Sequence, residues 1–228
     1  GFGNLSQIKI APKDQKVLQL NLVRSHAAGV GKPLELGIVR SVFALKLLTY
    51  VKGYSGIRPD VAEKIVQFLN RDILPVIPEK GSVGASGDLA PLGHMALALI
   101  GEGHVFFQGK KMVTKTALSK AGVKPLVLHP KEGLSLVNGT QVSTALGIKT
   151  LLDGDILLKT ADIAGALSVE NSFASRKVFQ KEIHALKGHP GQQSAARNVY
   201  QLLDGSKIVQ SHTNCGKVQD PYSFRCIP

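Results

Sequence analysis

Apolar residues recur at helical spacing along most of the chain. Leu18, Leu22 and His26 repeat every four positions behind Asp14, which can cap a helix running to about Ala28. Gly29, Gly31 and Pro33 end it. Val39, Val42, Phe43, Leu45 and Leu47 mark a second helix over 38–52, closed by Gly53. Pro59 suits the first turn of a third, with Asp60 and Glu63 near its positive end, and that helix runs to about Asn70. Pro75 and Pro78 then impose extended chain.

Beyond a run of small residues at 81–88, Asp88 is a natural N-cap for an apolar helix ending near Gly101, in which Pro91 is tolerable only in the first turn. Val105–Phe107 and Met112–Val113 flank Gln108-Gly109-Lys110 as a small hairpin, and a short helix over 116–121 ends at Gly122. From Thr140 to about Val169 nearly every residue is helix-compatible, with a point of irregularity expected at Gly154. Residues 194–203 read as another helix, and 210–228, which lack any period, as loop. The pattern predicts a mainly α fold with one minor hairpin.

Composition changes this picture little. A hydrophobic content of 43% with 19% charged residues is enough to bury a core, which Leu, Val, Ile and Ala must build because Trp is absent. The length suits one large domain or two small ones. The longest apolar stretch, Leu89 to Ile100, is too short to span a bilayer and contains His94, so no membrane role is expected. A formal charge of +12 raises nucleic acid as a partner, but the basic residues are spread along the whole length and stacking aromatics are few, so none is expected. Gly1-Phe2-Gly3-Asn4 shows no basic region followed by an apolar one, which leads us to expect a cytoplasmic chain. Cys215 and Cys226 could form one disulfide, although free thiols are expected in the cytosol. Neither spacing nor neighbours make them a zinc site, and no metal is expected.

Candidate chemistry centres on Gly81-Ser82-Val83-Gly84-Ala85-Ser86-Gly87-Asp88. Small residues packed this densely bring backbone close to something or bend it where a Cβ would clash. A tight fold at Ala85-Ser86-Gly87 would let the Gly87 nitrogen attack the Ala85 carbonyl carbon. Loss of that oxygen as water, and of a second water from Ser86, would leave a conjugated imidazolinone with an exocyclic methylene. Such a group is an electrophile that no side chain supplies. The other reading is a flexible glycine loop, and the tripeptide alone does not decide between them. The run misses the G-x-S-x-G elbow at its last position, and a phosphate loop would need Lys where Asp88 stands. The histidines lack an H-E-x-x-H spacing, and His104, His129 and His184 are expected to be surface or structural. Three further groups stand out. Ser25-His26 lies on or beside the apolar face of the first helix. Asn138-Gly139-Thr140-Gln141 opens the longest helix, where Asn and Thr also serve as caps. Gln219, Tyr222 and Arg225 follow one another at three-residue intervals in aperiodic chain, as surface loop or as a carboxylate and intermediate holder.

Together these blocks resemble the histidine branch of the aromatic amino-acid ammonia-lyase family. The matching stretches are Gly1-Phe2-Gly3, Asn21 to Gly29, Gly81 to Leu92, Lys131-Glu132-Gly133-Leu134 with Asn138 to Gln141, His189-Pro190-Gly191-Gln192, and Gln219 to Cys226. The resemblance implies an elongated helical bundle of the fumarase/aspartase-like type, with an electrophile-bearing domain over 1–137 and the start of a central long-helix bundle over 138–228. It implies 4-methylidene-imidazol-5-one (MIO), formed autocatalytically from Ala85, Ser86 and Gly87, with no external cofactor. It also implies non-oxidative deamination of L-histidine to trans-urocanate and ammonia, in a homotetramer with shared active sites. Arg225 would bind the substrate carboxylate, and Asn138, Gln219 and Tyr222 would line the electrophile and the substrate amine. His26, with Ser25, falls at the selectivity position, and Gln141 points to the same branch. The alternatives are a phenylalanine or tyrosine lyase or aminomutase, and a non-catalytic remnant of the same fold. A tyrosine that the family places before Gly1-Phe2-Gly3 and the large C-terminal helical part are missing, so a fragment is expected. Lys187-Gly188 stand before His189 where the family usually has Arg-Pro.

Overall fold

The computed structural model describes Asn4 and residues 6–228, so the Gly1-Phe2-Gly3 block lies outside the described residues. The fold is mainly α. In order the elements are α1 (Gln15–His26), β1 (Val30–Pro33), α2 (Leu36–Tyr50), α3 (Pro59–Asn70), β2 (Leu74–Pro75), β3 (Pro78–Lys80), α4 (Leu89–Leu99), β4 (His104–Phe107), β5 (Lys110–Val113), α5 (Thr114–Ala121), α6 (Glu132–Val137), α7 (Gln141–Asn171), α8 (Lys181–Ala185), α9 (Pro190–Leu202), α10 (Lys207–Ser211) and α11 (Tyr222–Arg225). Packing divides the chain into two compact units, Gly1–Lys149 and Thr150–Pro228, and the boundary falls inside α7. Among the described residues no helix is long and apolar enough to cross a membrane.

In the first unit α4 is the hub, because Pro91, Leu92, Gly93, Met95, Ala96, Ala98 and Leu99 are all buried. Pro91 stands in its first turn, where no helical N–H is needed. Gly93 lets α4 approach the end of α1: a Cβ there would lie 2.8 Å from the His26 carbonyl carbon and 2.9 Å from the Ala27 nitrogen. On α2 the stripe Val39, Val42, Phe43, Lys46 and Tyr50 faces the core at helical spacing, and Phe43 meets Phe68 of α3 edge-on with ring centres 6.1 Å apart. Leu45 and Leu47, apolar though they are, are only half-buried, while Lys46 between them is fully buried. On α1 the deepest positions are Gln19 and Val23, one step round from the expected Leu18 and Leu22.

The expected hairpin forms from β4 and β5, turning through Gln108 and Gly109, both at positive φ. β2 adds a third strand beside β4, and β1 pairs antiparallel with β3 as a separate ribbon. These very short strands carry no alternation from which to read them. The expected irregularity at Gly154 does not occur, since α7 runs unbroken from Gln141 to Asn171.

The second unit closes on a small core of Ala166, Val169, Ala174, Phe179, Val199 and Leu203. Arg176 stacks 3.6 Å from the centre of the Tyr200 ring and donates through Nε to the Tyr200 carbonyl at 2.8 Å. The expected loop at 210–228 instead holds the end of α10 and the single turn α11. His184 is buried and structural. It donates through Nε2 to the Val178 carbonyl at 2.9 Å and accepts from Gln192 Nε2 through Nδ1 at 3.0 Å.

Candidate active site

The glycine run is held at its ends. At the near end Gly81 lies against Gly29, whose Cα would be 3.0 Å from a Cβ on Gly81, and β1 pairs Val30 with Lys80. This brings the segment after Ser25-His26 to the start of the loop. At the far end Gly87, at φ +137°, is buried against the turn before α7. A Cβ at Gly87 would lie 3.0 Å from the Gly139 carbonyl oxygen and 3.1 Å from both Asn138 Oδ1 and the Gly139 nitrogen. Only glycine fits there without displacing backbone. Between the ends, residues 81–86 are exposed, including Ala85 and Ser86.

Asp88 fastens the far end. Its N–H donates to the Gly139 carbonyl at 2.7 Å, and its carboxylate accepts from Ser143 N at 2.7 Å, Ser143 Oγ at 2.5 Å and Ser82 Oγ at 2.7 Å. Asp88 does stand at the N-cap position of α4, yet its side chain makes no bond to that helix. It caps α7 instead, satisfying N–H groups that Asn138 and Thr140 had been candidates to serve. Burial works to raise the Asp88 carboxyl, but the bonds from Ser143, Ser82 and the Val142 amide outweigh it and hold it below the usual aspartate range.

Asn138 closes α6, and its carbonyl oxygen accepts from Lys46 Nζ at 2.8 Å. One turn along α2, Tyr50 donates to the Ser135 carbonyl at 3.1 Å. Lys46, Tyr50, Thr49, Ser55, Lys131 and Ser135, with Leu134 and Asn138, line a cavity of about 210 Å³. Burial pushes the Lys46 amine down to about 7 and the Tyr50 phenol well above its usual range. Gln141 donates to Thr49 Oγ1 at 3.1 Å, and its own buried Oε1 has no partner.

Ser25 and His26 close α1. The Leu22 carbonyl accepts from Ser25 Oγ at 3.0 Å and from His26 Nδ1 at 2.8 Å. A carbonyl only accepts, so Nδ1 carries the proton and Nε2 keeps its lone pair in the neutral ring. His94 of α4 accepts from the Gly29 N–H at 3.0 Å, and burial lowers its affinity for a proton.

Gln219, Tyr222 and Arg225 belong to the second unit. Buried Asp220 accepts from Ser175 N at 2.7 Å and anchors this stretch, and its carbonyl takes the Arg225 Nε at 2.7 Å. The guanidinium stacks 4.3 Å from the centre of the Tyr222 ring, which is otherwise exposed, and Gln219 is exposed as well. The bond through Nε leaves carboxylate binding to the two terminal nitrogens.

Thus Gly87 meets Asn138, Ser25-His26 lies at the chain that abuts the loop, and Tyr222 meets Arg225. Residues that sequence reasoning passed over also contribute. Ser82 and Ser143 bind Asp88, His94 holds Gly29, and Lys46 holds Asn138. Of these only Lys46 left a signal, as a lone cation at a core position of the apolar stripe on α2.

The family model for aromatic amino acid lyases matches residues 1–228. Histidine ammonia-lyase of Myxococcus xanthus is 51% identical over 228 residues, all of this chain and 45% of that protein. The crystal structure of histidine ammonia-lyase from Trypanosoma cruzi superposes with a TM-score of 0.86 at 37% identity, covering 98% of this chain and 41% of that one. Ergothionase from Treponema denticola gives a TM-score of 0.91 at 32% identity, covering 99% and 45%. The chain therefore spans about half the length of the curated relatives that it matches. With the whole sequence matched and its glycine run clasped by Asp88, the chain belongs to the aromatic amino acid lyase family.

Proposed function

We propose that the protein containing this chain deaminates L-histidine to trans-urocanate and ammonia without oxidation. The observation that carries the reading is the Ala85-Ser86-Gly87 tripeptide, closed by an Asp88 clasp and packed through Gly87 on Asn138, in a chain about half identical to histidine ammonia-lyases. The residues fit MIO. Glycine at 87 leaves its nitrogen unhindered, Ser86 offers a hydroxyl to eliminate, and a Cβ at 87 would press on the Gly139 backbone and Asn138 Oδ1 at 3.0–3.1 Å. In ring closure the Gly87 nitrogen bonds to the Ala85 carbonyl carbon, and two waters leave, one from that oxygen and one from Ser86. The resulting electrophile supplies activation of the substrate, whose β-proton is weakly acidic and whose ammonia leaves poorly.

The side chains do the rest. Arg225 would hold the carboxylate through its terminal nitrogens, with Tyr222 and Gln219 beside it and Asn138 at Gly87. His26 presents an Nε2 lone pair that suits an imidazole N–H, with Ser25 next to it. Positioned proton transfer contributes on the order of 10²–10⁴-fold. In the same reading, residues 1–137 carry the electrophile and 138–228 open the central bundle of a cytoplasmic homotetramer with shared sites. Leu151, Leu157 and Leu158 of α7 are 76%, 69% and 69% exposed, an apolar surface that favours burial against further helices.

The test is purified full-length protein with L-histidine, followed as rising near-ultraviolet absorbance. Wild type should turn over and Ser86→Ala should not. Full activity in Ser86→Ala would overturn the electrophile reading. Comparable or faster rates on phenylalanine or tyrosine would overturn the substrate.

A further inference from the structure

Lys46 is an unexpected residue for the core of α2. It is 1% exposed in an apolar stripe, has no ion-pair partner among the described residues, and its hydrogen bond runs to a backbone carbonyl rather than to an acid. Leucine or methionine would fill the position without the desolvation cost of an amine. Asn138 ends α6 in extended conformation (φ −97°, ψ 129°), and Gly139 follows at φ +144°. A helix end leaves carbonyls unsatisfied, and here α2 answers two of them, Ser135 through Tyr50 and Asn138 through Lys46. The two differ in what lies beyond. In a trans peptide the N–H points opposite to the C=O, so holding the Asn138 carbonyl towards α2 turns the Gly139 N–H away from it. The Gly139 nitrogen and Asn138 Oδ1 are both 3.1 Å from where a Cβ on Gly87 would sit.

We propose that Lys46 is a positioning residue: by holding the Asn138 carbonyl it sets the Asn138–Gly139 peptide against Gly87, the residue whose nitrogen must close the ring. The proposal rests on the reaction read above. An amine donates to a carbonyl whether or not it is protonated, so the role belongs to the donor and not to the charge. The cavity beside Lys46 leaves room for a guanidinium in its place.

Lys46→Met, Lys46→Arg and Tyr50→Phe in the full-length protein separate the possibilities. Intact mass reads the fraction that has lost two waters, and steady-state kinetics on L-histidine read kcat and KM. Lys46→Met should mature incompletely, or mature with kcat lowered on the order of tenfold or more while KM changes little, the pattern of a lost transition-state interaction. Lys46→Arg should restore both readouts. Tyr50→Phe, which frees only the Ser135 carbonyl, should mature as wild type. If Lys46→Met gives no folded protein, Lys46→Leu, which also carries no donor, stands in under the same criteria. A dehydrated wild type alongside a donor-deleted variant that matures fully with kcat within twofold overturns this proposal alone. So does a Lys46→Arg variant as impaired as Lys46→Met, or a Tyr50→Phe variant equally impaired. A wild type that keeps both waters overturns the parent reading and this one with it.

Discussion

Glu132 should be a costly charge to remove from the first unit. It is 1% exposed at the start of α6, and its carboxylate accepts four bonds: Arg58 Nε at 2.8 Å, Arg58 Nη2 at 3.0 Å, His129 N at 2.8 Å and Arg58 N at 3.2 Å. Charge-assisted bonds contribute about 1.5–3 kcal/mol each, and breaking a buried pair costs about 3–5 kcal/mol. Arg58 would not be stranded, because a third of its side chain is exposed and it also donates to Asp60 and to the Val127 carbonyl. That places the loss towards the lower end. Glu132→Gln keeps one acceptor oxygen but sets an NH2 against the guanidinium, for about 3 kcal/mol. Glu132→Ala also leaves two backbone N–H groups unanswered, for about 4–5 kcal/mol. The exposed pair Arg24–Glu102, with side chains 50% and 39% accessible, is the internal control, and Glu102→Gln should cost below about 1 kcal/mol. Guanidinium unfolding at neutral pH, read as a midpoint shift at unchanged slope, measures all three. The pH dependence adds a second check. Burial alone would raise the Glu132 carboxyl, but the bonds from Arg58 and His129 hold it below the usual range. A depressed carboxyl contributes stability that is present above its unfolded pKa and lost as pH falls through the folded one. The gap between wild type and Glu132→Gln should therefore close in acid. Equal costs for Glu132→Gln and Glu102→Gln, or a gap that persists in acid, would refute the reasoning.

Two further outcomes follow from the same geometry. Gly93→Ala should destabilise by about 1–3 kcal/mol although alanine favours a helix by about 1 kcal/mol, because the new Cβ would fall 2.8 Å from the His26 backbone; thermal unfolding at or above the wild-type midpoint would show that α4 and α1 can separate freely. Lys46 has its folded pKa depressed to about 7 from an ordinary 10.5, so the unfolded chain binds the extra proton between those values and stability should rise with pH there. The slope from this group is about 1.4 kcal/mol per pH unit between roughly pH 7 and 9, below the range in which the raised Tyr50 phenol acts in the opposite sense. Lys46→Met should flatten the profile, and an unchanged slope in that variant would assign it to other groups.

The long periodic elements were legible because their information is local. Helices α2, α3, α7 and the β4–β5 hairpin follow from apolar spacing, from Pro59 and from the Gln108-Gly109 turn. Short helices such as α6, α8 and α11 were not, since a few residues carry too little periodicity and depend on tertiary contacts for their stability. Asp88 marks the limit most clearly. Its position was readable as a cap, but the helix that its side chain caps lies 55 residues away in sequence. Lys46 reaches Asn138 across 92 residues. Of the candidate site, the blocks themselves were legible and the connections between them were not, because a hydrogen bond across such separations leaves no mark in local pattern.

Those connections explain how the loop can be ordered at all. Residues 81–86 are exposed and small, and fixing each backbone costs about 1–2 kcal/mol that hydrophobic burial there cannot offset. The order has to come from the ends. Gly81 is seated on Gly29 beside the β1–β3 ribbon, and Asp88 makes two side-chain bonds with Ser143 and one backbone bond with Gly139 in the turn at 139–143, with a further side-chain bond from Ser82 of the loop itself. A clasp of this kind fixes Gly87 while leaving Ala85 and Ser86 unburied. The proposed ring closure needs that combination, since a packed loop would resist the contraction and an untethered one would lose the approach of nitrogen to carbonyl.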